Sequence, residues 1–222
     1  MTSMNLSADD GAPDDSVHSG HVRPRTRIDA ASTERRVSPL VLGAPLLALA
    51  SVAFGLSLIN YASINSAIPI LVVAGAGLIA AAAWSFTSGE AAAGGIYAIF
   101  SGYWLSYCAL LIGIIYHWYG IAPAQEPAAV ELFLVSWLAV TILAIAASLD
   151  LPLVITLQVL VFGVSQGLLL VGSLTGNQVY FPAAGIGFFL LALLVGYGFI
   201  ASITAHSARR WLPVGPTIMS KL

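Results

Sequence analysis

Between Arg36 and Arg209 the chain carries no lysine or arginine, and across that interval long apolar runs alternate with short polar turns. Each run is close to the roughly 20 apolar residues a helix needs to cross the hydrocarbon of a bilayer. No other feature constrains the fold as tightly. At that depth water offers backbone N–H and C=O groups no partner, and a helix satisfies them within one segment. Six runs are present, over approximately residues 40–59, 67–86, 92–117, 128–149, 153–173 and 183–205. The chain is therefore expected to be an all-α integral membrane protein, with six transmembrane helices in one bundle.

Charge placement sets the expected orientation. The basic residues are Arg23, Arg25, Arg27, Arg35 and Arg36 before the first run and Arg209, Arg210 and Lys221 after the last. Because Lys and Arg stay on the cytoplasmic side, both termini are expected in the cytoplasm, which requires an even number of crossings. The count of six agrees. Charged residues make up 8% of the chain, against roughly 25% in an average soluble domain, and the expected location is the plasma membrane. Residues 1–37 hold Asp9, Asp10, Asp14, Asp15, Asp29 and Glu34 among Gly, Ser, Thr and Pro, with no helical repeat of apolar residues. They read as a disordered cytoplasmic tail. Residues 38–206 form the transmembrane domain and 207–222 a cytoplasmic C-terminal tail.

The third run concentrates the polar and aromatic side chains. Tyr97, Phe100, Ser101, Trp104, Tyr107 and Cys108 recur at steps of three and four and share one helical face. That face suits either a packing surface between helices or the wall of a path through the membrane, and spacing alone does not choose. Gln166 falls near the middle of the fifth run, where an amide needs a partner on another helix or in water. His117-Trp118-Tyr119 suits the outer interface, and 172–178 reads as a flexible outer loop. The second and sixth runs are rich in Gly and Ala, which let helices approach closely. Pro39, Gly43 and Pro45 crowd the start of the first.

Several chemistries lack support. No ionisable Asp, Glu, Lys or Arg lies in the middle of a run, so a charge-relay pump is not expected. Cys108 is the single cysteine, which excludes a disulfide framework or a thiolate metal cluster. No paired-acid site or Ser/His/Asp set lies at a common depth, so no enzyme is expected, and no metal or cofactor. Passage of a small solute through a narrow, mostly neutral path remains.

Two patches then carry a resemblance. The run from Gly89 to Trp104, with Phe100-Ser101-Gly102-Tyr103-Trp104 at its end, and the closing Arg209-Arg210-Trp211-Leu212-Pro213-Val214-Gly215 resemble the acetate uptake transporter family. That family includes bacterial succinate–acetate permeases and related yeast acetate and ammonia transport proteins. The likeness spans about residues 38–216. The chain departs from the family's opening Asn-Pro-Ala-Pro-Leu-Gly around Pro39, Gly43 and Pro45, has Glu90 in place of an asparagine, and has Phe100 in place of the constriction tyrosine.

The resemblance implies a homo-oligomeric ring, a hexamer, in which each six-helix subunit has its own aromatic-lined pore for acetate or a similar small monocarboxylate. The implied partners are a small-molecule substrate and the lipid bilayer, with no nucleic acid. Phe54, Tyr97, Phe100, Ser101, Trp104, Gln166 and Tyr197 are the candidate residues of the substrate path. The alternatives are a pore for a neutral solute such as ammonia and a non-transporting scaffold or sensor.

Overall fold

Lipid gives helices no hydrophobic reason to associate, so they meet through close backbone approach and through polar atoms that hydrocarbon rejects. The computed structural model describes residues 38–204, and its regular elements are all helices. The expected tails at 1–37 and 207–222, and the closing Arg209–Gly215 pattern, lie outside the described residues. The helices are α1 (Leu40–Leu58), α2 (Ile64–Thr87), α3 (Ala91–Ile115), α4 (Glu126–Ser148), α5 (Leu153–Thr175) and α6 (Tyr180–Thr204), with one 3₁₀ turn at Pro123–Gln125. All six are long and apolar enough to cross a membrane. The chain is a multi-pass membrane protein.

Several boundaries differ from the sequence reading: the second and sixth spans each start three residues early, at Ile64 and Tyr180, and the fourth two early, at Glu126. The third span ends at Ile115, not at His117, which lies beyond the helix with φ +55°. The Trp118 N–H donates to the Gly113 carbonyl at 2.9 Å and closes the helix there. In the stretch expected to be a flexible loop over 172–178, α5 continues to Thr175, and Gly176 ends it in the left-handed conformation. Gly172 is buried instead, where an added Cβ would lie 3.1 Å from Tyr180. Pro45 lies inside α1 and Pro69 inside α2. Each removes one hydrogen bond to the carbonyl four residues earlier, Val41 and Asn65, which sit in the first turn close to the membrane surface.

The helices form a ring in chain order. Each packs against its neighbours in sequence and α6 closes on α1, while the α3–α4 side has the sparsest backbone contact. Backbones approach closely where α1 crosses α6: a Cβ on Gly185 would lie 3.1 Å from the Gly55 carbonyl oxygen and 3.0 Å from Ile59. Hydroxyls and amides bolt other neighbours. Ser101 donates to the Gly75 carbonyl (α3 to α2, 2.8 Å), Thr156 to the Ser148 carbonyl (α5 to α4, 2.7 Å) and Gln158 to the Leu194 carbonyl (α5 to α6, 3.1 Å). Other hydroxyls, such as Ser51 and Ser165, return to carbonyls of their own helix.

Candidate functional site: an aromatic layer between two cavities

At mid-height the ring is filled by aromatic side chains. Phe54 from α1, Phe100, Tyr103 and Trp104 from α3, Phe162 from α5 and Phe188 from α6 are each at most 1% exposed. Phe54 meets Trp104, Tyr107 and Phe188 edge-on at 5.4, 5.2 and 4.8 Å between ring centroids. Phe162 meets Phe100 at 4.7 Å and Tyr103 at 4.9 Å in the same manner. Edge-to-face pairs contribute about 0.5–1.5 kcal/mol each beyond area burial. The interlocking rings therefore form a cohesive layer. Where α3 and α4 backbones stand apart, Tyr103 reaches Phe133 and Trp137 on α4 at 5.5 and 5.7 Å.

A cavity lies on each side of this layer. The narrower one, about 130 Å³, is walled by helix ends from one side of the bundle, among them Leu40 and Ala44 of α1, Ala93 and Tyr97 of α3, Gln158 of α5 and Ser202 of α6. The wider one, about 380 Å³, is walled from the other side by Leu58, Tyr107, Glu126, Leu134, Leu169 and Ser173. One water needs about 10–15 Å³ on this measure, so both cavities have room for a small solute. A third space beside Phe100, Thr141 and Phe162 has about 10 Å³ and is apolar throughout, which leaves the layer itself shut. Tyr97 and Tyr107, on walls of the two cavities, are ten residues apart on α3, or about 15 Å along the helix.

Few polar atoms occur at this depth. The Thr141 hydroxyl lies 2.8 Å from both the Trp137 carbonyl of its own helix and Gln166 Oε1 of α5. Gln166 Nε2, the Tyr103 hydroxyl, Trp104 Nε1 and the Tyr97 hydroxyl are buried without a hydrogen-bond partner in the protein. The Tyr103 hydroxyl lies against the Gln166 side chain. At the wide cavity, Ser173 donates to Glu131 at 3.1 Å. Among the described residues no group of His, Cys, Asp and Glu is arranged to hold a metal ion.

The structure brings Phe54, Phe100 and Trp104 together in the layer, with Gln166 one turn from Phe162 on α5. Tyr97 stands apart from them, beside the narrow cavity, and its ring occupies the space a side chain on Gly43 would need. Ser101 faces α2. Tyr197 is half-buried on α6, between Val195 and Gly198, which line the narrow cavity. Pro39 precedes α1 and its carbonyl accepts the Gly43 N–H at 3.0 Å. Sequence reasoning missed Tyr103, Phe162 and Phe188. A lone Phe in an apolar run looks the same whether it faces lipid or the bundle, so only Tyr103, between Phe100 and Tyr107 at steps of three and four, carried a usable signal.

The chain was compared with known proteins. A model of the GPR1/FUN34/yaaH family matches residues 19–220. No curated protein sequence matches. Among solved structures, the bacterial acetate channel SatP superposes with a TM-score of 0.71 at 18% sequence identity, over 81% of this chain and 99% of that one. The likeness to that structure is one of fold.

Proposed function

Because this chain belongs to the GPR1/FUN34/yaaH family, we propose that it is a membrane channel or transporter that passes acetate or a similar small monocarboxylate along the axis of its helix ring. One observation carries the reading: two solute-sized cavities lie towards opposite ends of the bundle with a single aromatic layer between them. A fold shared with the bacterial acetate channel SatP adds support. In this reading Phe54, Phe100, Trp104 and Phe162 are the constriction, and Tyr97 guards the narrow cavity. Ser101 holds the α3 wall in place, and Tyr197 backs the α6 wall.

Solute moves when thermal motion of the rings opens a transient gap, since the layer has no charged group to hold an ion for long. Any proton travels on the substrate acid itself, because no Asp, Glu, Lys or Arg stands in the layer to carry one. The protein sits in the plasma membrane with both termini in the cytoplasm, and several copies, six in our reading, assemble side by side with a path in each. The exposed apolar side chains of α4, among them Leu132 and Leu143, meet lipid or a neighbouring copy.

Radiolabelled acetate uptake into liposomes carrying the purified protein tests the reading. We expect uptake well above that of empty liposomes and competition by propionate. Uptake no faster than the empty control, with the protein shown to be folded, would sink it. Uptake of ammonia without acetate would move the assignment to a neutral solute, which the missing phenol at Phe100 would then explain.

A further inference from the structure

Three helices meet at the Thr141–Gln166–Tyr103 node, and its hydrogen bonding does not close. The Thr141 hydroxyl has one hydrogen and two acceptors at 2.8 Å, the Trp137 carbonyl and Gln166 Oε1. With Oε1 turned to Thr141, the Gln166 NH₂ group and the Tyr103 hydroxyl lie side by side, both buried and neither hydrogen-bonded, and the phenol O–H faces no acceptor. Both residues are fully buried. Leaving such donors unpaired costs about 1–3 kcal/mol each. The node has a second arrangement that lowers the cost. If the amide turns over, Nε2 donates to Thr141, Thr141 donates to the Trp137 carbonyl, and Oε1 comes to face the Tyr103 hydroxyl as an acceptor. The two amide orientations are nearly equal in shape, because they differ only by the exchange of O and NH₂. The node thus has two amide orientations, one of which presents two adjacent donors.

Its position gives the donors an occupant. Gln166 is one turn from Leu169 on α5, and Tyr103 is one turn from Tyr107 on α3, onto which it stacks at 6.1 Å. Leu169 and Tyr107 both line the wide cavity, so the donors lie just beneath its floor, against the Phe162 ring. A species that needs two neighbouring donors and brings acceptors only is a small anion, and the monocarboxylate of the proposed path is one. Ammonia brings one acceptor lone pair and three donors, and gains little there.

We propose that Tyr103 and Gln166 are a carboxylate-binding station between the wide cavity and the aromatic layer, with the Gln166 amide turning over to receive the solute. This rests on the reading of the protein as a monocarboxylate path and assigns that path its selecting residues. Binding there lowers the solute's loss of hydration as it reaches the rings, and Thr141 positions the amide from behind.

Two measurements on the full-length protein test the station separately from transport. In detergent, acetate should raise the thermal midpoint of the wild type, since a ligand that binds only the folded state stabilises it. In liposomes, the acetate concentration giving half-maximal uptake should rise about tenfold or more in Gln166→Met and in Tyr103→Phe, as expected for losing a hydrogen bond to a charged group. Ammonia flux should stay unchanged in both variants. Gln166→Met keeps the volume and Tyr103→Phe removes one oxygen, so both should fold. Equal loss of acetate and ammonia flux, or no change in half-saturation with acetate uptake intact in the wild type, would overturn the station. A wild type that takes up no acetate, yet shows an acetate-dependent thermal shift lost in Gln166→Met, would leave the station standing and remove the transport reading. No uptake and no shift would remove both.

Discussion

Phe54 is the side chain on which the two halves of the aromatic layer meet. It touches Trp104 and Tyr107 on α3 and Phe188 on α6, and it is fully buried. Replacing it with alanine removes three edge contacts and leaves a gap among the rings. In soluble cores such truncation costs about 3–5 kcal/mol. Because the gap opens within the layer that separates the two cavities, Phe54→Ala is expected to lower the thermal midpoint in detergent and to raise the butyrate-to-acetate uptake ratio several-fold in liposomes. Phe54→Leu, which refills most of the space, should keep both near wild type. An unchanged uptake ratio in a folded Phe54→Ala protein would mean that the layer is packing and does not limit passage. Part of this layer was legible in the sequence. The three-and-four spacing on α3 picked out Phe100 and Trp104, but it merged two faces. Ser101 and Cys108 point to α2, where they reach the Gly75 and Ile68 carbonyls. Tyr103 and Tyr107 turn towards α4, where both meet Phe133. A helix buried on both flanks presents a wide arc to protein, and a narrow stripe of residues does not describe it.

At the scale of the element, small residues decide which helices touch. The α1–α6 crossing depends on Gly55 and Gly185, where a Cβ on Gly185 already sits at 3.1 Å from backbone oxygen. Backbone cannot yield as a side-chain tip can. Gly185→Leu is expected to force α1 and α6 apart and to lower stability by about 1–3 kcal/mol or more, the usual scale of overpacking. Gly167→Ala on α5 meets nothing within 4 Å and should stay within about 0.5 kcal/mol of wild type. Thermal unfolding of both variants in the same detergent measures the contrast, and a Gly185→Leu protein as stable as Gly167→Ala would show that the crossing is loose. The six helices were readable from apolar run length because lipid depth fixes length. Their ends were not, since His117 and the 172–175 segment are placed by local hydrogen bonds and by Tyr180 and Phe181 packing on Gly172. Hydropathy carries no record of those contacts.

For the whole molecule, an even number of alternating helices places the start of α1 and the end of α6 at the same side of the bundle. The narrow cavity belongs to that side, because Leu40, Ala93, Pro152 and Ser202 wall it. All eight basic residues lie before Leu40 or after Thr204. Lys and Arg are retained in the cytoplasm, so the narrow cavity is expected to open inward and the wide one, with Glu126 on its wall, outward. A solute arriving from outside would then reach the Tyr103–Gln166 donors before the rings, whereas one leaving the cytoplasm would meet Tyr97 first. Cysteine labelling measures the orientation directly. Cys108, the single native cysteine, is buried and can be replaced by serine. In that background Asp150→Cys and Gln178→Cys each place one thiol at an exposed turn on opposite sides of the bundle. A membrane-impermeant maleimide added to intact cells should modify the thiol at position 178 and reach the one at position 150 only after the cells are permeabilised. The reverse pattern would turn the protein over, make the wide cavity the cytoplasmic entrance, and place the carboxylate donors on the inner side of the layer.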